Sequence, residues 1–176
     1  MTFTEMVELV RTVFPDAERR LTGPAALDST PFPAQTVEFL RTVGTPLSDI
    51  REIDFTPALA PTRDDLGVYS PDAAGTSGVV IASTPGSVFV VAVERSCQVV
   101  CFEESDPGEY FVNSSLPQFV AALALYCEPA VAGRIMDDQD RAKEFSDRLS
   151  ALDAAAITAP RSWWAITLEE IGYGLA

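Results

Sequence analysis

The chain contains no histidine among its 176 residues. Without an imidazole group, Ser-His-Asp and Cys-His catalysis, Cys2His2 zinc sites and histidine-based pH switches are all excluded. Lysine is nearly as scarce, since Lys143 is the only one. Its predicted place on the polar face of a helix gives a Ser-Lys dyad no serine partner. The common activators of a nucleophile are therefore missing, and we do not expect an enzyme.

Cysteine is also scarce, with Cys97, Cys101 and Cys127 all in or beside apolar stretches. An odd number does not suit the disulfide framework of a secreted protein. On one continuous strand the Cα atoms of Cys97 and Cys101 would lie about 13 Å apart, beyond disulfide reach, unless a turn shortens the distance. Two thiols without a second pair or a histidine also make a poor zinc site. We expect three reduced, structural thiols.

Long hydrophobic runs are absent from the sequence. The longest, Val88 to Val93 and Val120 to Cys127, are far shorter than the roughly 20 residues that cross a bilayer. The start of the chain, Met1 to Glu8, lacks the basic residues and the unbroken apolar stretch of a signal peptide. We therefore expect neither a membrane span nor export, and place the protein in the cytoplasm.

Basic residues are few, with 12 Lys and Arg against 26 Asp and Glu, so the formal net charge is −14. Such a chain repels the phosphate backbone, and direct binding to nucleic acid is not expected. An acidic surface attracts basic proteins and accelerates their association. The alternative interpretation is that the acidity only keeps the protein soluble.

The pattern of apolar residues predicts helices first and strands next. A Thr2-Glu5 capping box opens one amphipathic helix, and a second begins at Pro33 and stops at Gly44. Short apolar runs between turn residues then predict antiparallel strands at Ile50–Phe55, Gly67–Tyr69, Gly78–Ala82, Val88–Val93 and Val99–Phe102. Glu94 to Cys97 is predicted to form a hairpin turn, and Glu103 to Glu109 an acidic loop.

The most informative junction joins a strand, Tyr110–Val112, to a helix. Ser115 is a predicted N-cap whose partner is Gln118, and Pro117 suits the first turn. The predicted buried stripe of this surface helix comprises Leu116, Phe119, Val120, Leu123 and Cys127. Further helices are predicted over 137–152 and 162–171, with one of Trp163 and Trp164 in the core. Helices, strands and helices in this order predict a single α+β domain over residues 1–176.

The sequence contains only weak evidence for motifs that support catalysis, metal binding or phosphate binding. The adjacent acids Glu103-Glu104, Asp137-Asp138 and Glu169-Glu170 suggest a hydrolase only if two carboxylates converge, and neighbouring side chains point apart. Residues 137–140 lack the ligand spacing of a calcium loop, and residues 75–78 lack the lysine of a phosphate-binding loop. We therefore assign no metal and no cofactor.

Several short motifs resemble the SUKH superfamily, and most closely its fourth subfamily of bacterial immunity proteins. They are Phe32-Pro33, Phe39-Leu40, Gly44-Thr45-Pro46, the Val88–Phe102 hairpin, Phe111 to Leu116 with Phe119, and Ser162 to Trp164 with Leu168 to Glu170. The hairpin departs from the family's usual glycine-containing turn. The resemblance implies a bent, mostly antiparallel sheet flanked by N-terminal and C-terminal helices, and no catalysis. It also implies an immunity partner that binds and blocks a toxin of a polymorphic toxin system, often a nuclease or a nucleic-acid deaminase.

We therefore expect an immunity protein that neutralises a cognate, basic toxin by steric occlusion and charge complementarity. The candidate partner-binding residues are acidic and predicted to be exposed: Glu103, Glu104, Asp106, Asp137, Asp138 and Asp140. One alternative is a regulatory interaction scaffold of the same fold that binds no toxin. The other is a carboxylate-dependent hydrolase, which would require converging acids with a perturbed pKa.

Overall fold

The structure, a computed structural model, describes residues 1–23, 27–28, 30–47, 50, 53–55, 68–69, 78–128 and 139–172. Its helices are α1 (Phe3–Val13), α2 (Ala34–Thr42), α3 (Leu116–Cys127), α4 (Gln139–Leu152), α5 (Ala155–Thr158) and α6 (Trp163–Gly172). Its strands are β1 (Arg19–Arg20), β2 (Thr45–Pro46), β3 (Val68–Tyr69), β4 (Gly78–Thr84), β5 (Ser87–Ala92), β6 (Gln98–Glu103) and β7 (Asp106–Asn113). Among the described helices, none is both long and apolar enough to cross a membrane.

Strands β3 to β7 form one antiparallel sheet in chain order, and β1 pairs with β2 in a separate ribbon. The pairing register shifts between Val80 and Ala82, and again at both ends of the β6–β7 pair. Shifts of this kind bend a strand locally. The predicted α+β class, with an antiparallel sheet flanked by N-terminal and C-terminal helices, is confirmed.

The β5–β6 turn forms without glycine. Residues Val93–Arg95 make a short 3-10 helix, and Ser96 and Cys97 then adopt left-handed backbone angles, with φ of 55° and 60°. A left-handed residue other than glycine costs about 1–2 kcal/mol. Cys97 is nevertheless buried, and its Sγ lies 3.7 Å from the Pro31 carbonyl oxygen, so packing holds the turn. The predicted hairpin at this position is confirmed.

The prediction of an acidic loop from Glu103 to Glu109 is wrong. The turn is limited to Glu104 and Ser105, and β7 already begins at Asp106. Pro107 is tolerated within β7 because this strand lies at the edge of the sheet among the described strands, and its pairing with β6 is irregular beside Glu103. Asp106 and Glu109 therefore stand on a strand, with fixed positions relative to β6.

Helix α3 is central rather than superficial, which corrects the prediction of a surface helix with one buried stripe. From Leu116 to Tyr126 its residues are buried, with the exception of the half-buried Gln118. Helix α1 packs on one side of it, and β6, β7 and α4 lie on others. The Phe119 ring stacks on Phe89 of β5 at 5.3 Å between centroids. A helix that is apolar all round is buried all round.

Candidate functional site

The β6–β7 hairpin brings three of the predicted partner-binding residues together. Glu103 ends β6, Glu104 lies in the turn and Asp106 begins β7. We call this group, together with Glu109 of β7, the acidic hairpin. Asp137 and Asp138 lie outside the described residues, and Asp140 lies in the first turn of α4.

The Asp106 carboxylate is held by three donors. The Tyr110 hydroxyl and an Arg161 Nη2 donate to its Oδ2 at 2.7 Å and 2.5 Å, and the Gly108 N–H donates to its Oδ1 at 2.9 Å. These hydrogen bonds, led by that of Tyr110, lower the pKa of Asp106 from 3.8 to about 2. Asp106 is therefore ionised and oriented throughout the physiological range.

Arg161 reaches this site from the segment that precedes α6. Its backbone is left-handed, with φ of 53°, and its guanidinium carbon lies 4.5 Å from the centre of the Tyr110 ring. A Cβ on Gly108 would lie 2.2 Å from Arg161 Nη2, so a larger residue there would displace the guanidinium from this position. Sequence reasoning missed both Arg161 and Tyr110. No local pattern could have found Arg161, because 55 residues separate it from Asp106.

The carboxylates of Glu103 and Glu104 are differently placed. Neither has a hydrogen-bond or ion-pair partner among the described residues, and Glu104 is exposed. The Glu104 N–H donates to the Gly86 carbonyl oxygen at 2.8 Å, which fixes the turn. Glu109, by contrast, pairs with Arg95 at 2.5 Å. The hairpin thus presents two acids that can receive cations from outside the chain.

A buried polar network lies at the strand-to-helix junction. The Asp153 carboxylate accepts from Asn113 Nδ2 at 3.1 Å, from the Ser114 N–H at 2.7 Å and from the Ser114 hydroxyl at 2.9 Å. Asn113 Oδ1 in turn accepts from the Trp164 indole N–H at 3.0 Å. Sequence reasoning missed Asp153, although a lone acid between Leu152 and a run of alanines is a usable signal. The network joins β7 to α6 and has a structural role.

The predicted cap of α3 is present with one change of partner. The Ser115 hydroxyl oxygen accepts from the Gln118 N–H at 3.4 Å, as predicted. The Gln118 side-chain oxygen accepts from the Ser115 hydroxyl instead of from the Ser115 backbone N–H. The Gln118 side-chain nitrogen donates to the Leu152 carbonyl oxygen at 3.2 Å. The junction therefore ties α3 to α4 as well as capping it.

A cavity of about 480 Å³ lies at the other end of the chain, between α1 and the end of α2. It is lined by Arg11, Asp16, Arg19, Leu21 and Thr42. Arg19 is buried, and its guanidinium donates hydrogen bonds to the carbonyl oxygens of Phe14 and Val43. These two residues are the C-caps of α1 and α2. Among the described residues that line this cavity, Asp16 is the single carboxylate, so they do not supply the pair that the hydrolase alternative requires.

A comparison with protein-family models matches residues 15–170 to the SUKH-4 immunity protein family. The chain belongs to the SUKH-4 immunity protein family. Parallel comparisons with curated proteins and with solved structures give no match. The resemblance found in the sequence motifs is confirmed, and the SUKH-4 match spans both the acidic hairpin and the Asn113–Leu116 junction.

Membership of the SUKH-4 family supports an immunity role and implies binding of a cognate toxin. Helix α1 lies outside the matched residues, yet it packs directly on the central α3. Met6 and Val10 of α1 are buried in the main core. This helix is therefore an integral part of the fold in this SUKH-4 protein.

Proposed function

We propose that this protein is a cytoplasmic immunity protein that binds a basic toxin domain, a nuclease or nucleic-acid deaminase, and neutralises it by covering its surface. The observation that carries the proposal is the SUKH-4 match over residues 15–170. Occlusion of a toxin requires only complementary shape and charge, so the inhibitor needs no reaction of its own.

The acidic hairpin is the contact surface that the geometry favours. Glu103 and Glu104 lie at its tip and have no partner among the described residues, so a cation of a toxin need not displace an existing ion pair. Asp106 and Glu109 are already paired with Arg161 and Arg95. Because these arginines offset their charges, Asp106 and Glu109 are less available to a toxin than Glu103 and Glu104. We propose that Asp137, Asp138 and Asp140 add to the same attraction.

A toxin that acts on nucleic acid supplies the matching charge, because proteins that contact phosphate backbones carry clusters of Lys and Arg. A net charge of −14 on the inhibitor steers such a toxin into contact. The described acid that is most deeply buried, Asp153, is occupied by hydrogen bonds to Asn113 and Ser114. This arrangement supports inhibition by binding over catalysis.

The experiment measures affinity and association rate for the toxin encoded beside this gene, at low and at high salt. The test variant carries Glu103→Gln and Glu104→Gln. Two exposed ion pairs are worth about 1–2 kcal/mol together, so we expect about fivefold to thirtyfold weaker binding at low salt. Most of the loss should lie in the association rate, and it should shrink at high salt.

The matched control carries Glu169→Gln and Glu170→Gln, which removes the same charge from two adjacent, exposed acids of α6. We expect nearly unchanged affinity for the control. Equal losses in both variants would show that total charge matters and that the hairpin is not the contact. If the wild-type protein neither binds the neighbouring toxin nor protects cells that co-express it, the immunity role is wrong.

A further inference from the structure

Among the strands that the structure describes, β7 is the last of the sheet, so its outer side faces away from β6. Within the described ranges, that side is bridged at one position, where Phe111 pairs with Ser162 and its N–H donates to the Arg161 carbonyl oxygen at 3.1 Å. An edge strand is a template on which a strand of another molecule can pair, unless something covers it.

The Arg161 side chain clamps this covering segment to the strand. It donates to Asp106 at 2.5 Å, occupies the space that a Cβ on Gly108 would fill and lies over the Tyr110 ring at 4.5 Å, and so spans five residues of β7. We call the set Asp106, Gly108, Tyr110 and Arg161 the edge clasp. The left-handed backbone at Arg161 turns the chain so that its carbonyl oxygen and its guanidinium reach the same strand.

Other features of β7 serve the same purpose. Pro107 removes one backbone donor, charged side chains stand at Asp106 and Glu109, and the register shifts beside Glu103. Natural sheets use proline, charge and bulges to keep edges from pairing. The side chains of Arg161 and Asp106 are 49% and 39% exposed, and an ion pair in that position adds little to global stability. Protection of the β7 edge from strand pairing therefore explains the edge clasp better than a contribution to the free energy of unfolding does.

We propose that the edge clasp keeps β7 closed against strand pairing with a second copy of this chain. Removing the guanidinium uncovers the outer side of β7 from Asp106 to Tyr110, while Ser162 and Trp164 stay anchored to Ala156 and Asn113. Two copies can then join through this part of antiparallel β7 strands. This inference concerns the isolated protein, and it holds whether or not the acidic hairpin binds a toxin.

The test compares Arg161→Ala with Arg95→Ala by sedimentation over a wide range of protein concentration. The control is closely matched, because Arg95 is 51% exposed and also pairs with a carboxylate of β7, but it reaches the strand from the β5–β6 turn. Both variants lose one positive charge. The measurements use about 0.5 M salt, which screens repulsion between acidic copies.

We expect Arg161→Ala to form larger species as its concentration rises, at concentrations where the wild-type protein and Arg95→Ala keep their size. Hydrogen exchange at residues 108–110 should be faster in the dilute variant and slower once it associates. If the alanine variant does not fold, Arg161→Lys is measured instead. It keeps the positive charge but lacks the planar guanidinium with its several N–H donors, and it should associate detectably. Folded variants that keep the wild-type size throughout, or equal association of Arg95→Ala, would overturn the proposal.

Discussion

Asp106 shows how the chemistry of a single residue in this protein is decided by its neighbours. Its carboxylate accepts hydrogen bonds from Gly108 and Tyr110 of the same strand and from Arg161, which is distant in sequence. Glu104, two residues earlier, is exposed and has no such donors among the described residues. Two acids in one hairpin thus differ in their surroundings, since one is held within the fold and the other is exposed to solvent.

For this single residue we predict the pH at which the Asp106 carboxyl titrates and how the loss of one donor shifts that pH. Its folded pKa of about 2 lies below the ordinary value of 3.8. The clasp therefore contributes stability that is present above the unfolded pKa and is lost as the pH falls through about 2. Because Tyr110 is the leading cause, Tyr110→Phe should raise the midpoint toward 3.8. Carboxyl NMR titration measures this, and an unchanged midpoint would contradict the assigned cause.

Individual elements are joined mainly through the junction between β7 and α3. Asn113, Ser114 and Asp153 form a buried set of hydrogen bonds that also reaches Trp164 of α6. Aromatic packing follows the same route, since the Trp164 ring lies 5.5 Å from Phe145 of α4 and 6.1 Å from Tyr126 of α3. The C-terminal helices are thus fixed to the sheet by polar and apolar contacts together.

For these elements we predict that Asp153→Ala lowers the free energy of unfolding by about 2–4 kcal/mol, because the buried donors of Asn113 and Ser114 lose a charged acceptor. Asp153→Asn, which keeps one oxygen, should cost less. The control is Asp147→Ala on α4, where the acid is 67% exposed and pairs with Lys143. Its effect should be about 0.5 kcal/mol or smaller. Urea unfolding measures all three, and similar losses for Asp147 and Asp153 would contradict the role of the network.

The whole molecule has an uneven distribution of charge along the chain. Residues 1–47 contain six acids and four bases, whereas the remaining residues contain twenty acids and eight bases. Most of the net charge of −14 therefore belongs to the part that carries the sheet and the C-terminal helices. Like charges gathered in this way repel one another in the folded state more than in the extended chain.

At the scale of the molecule we predict that salt stabilises the protein. Screening of the repulsion should raise Tm between low and moderate salt, by about 2–4 °C if it is worth about 1 kcal/mol. The gain should shrink near pH 4, where carboxylates become protonated. Scanning calorimetry at several salt concentrations checks this, and a fall in Tm would show that attractive ion pairs dominate instead.

The sequence by itself determined the order of the longer elements, with α1 and α2 first, then β4 to β7, and then α3, α4 and α6. The Thr2-Glu5 capping box, the Ser115 cap and the short apolar runs of β4 to β6 depend on neighbours in the chain, so local patterns predict them. The motifs near Asn113 and Trp163 also sufficed to identify the SUKH family, since they are contiguous.

Only the tertiary structure decided which side chains meet across long stretches of chain. Arg161 reaches Asp106, and Asp153 reaches Asn113 across 40 residues, because α6 and α5 pack beside β7. The burial of α3 on nearly all sides likewise depends on α1, which is distant in sequence. Periodicity describes one face of one element, whereas the partners of an acid and the number of buried faces follow from the packing of all the elements together.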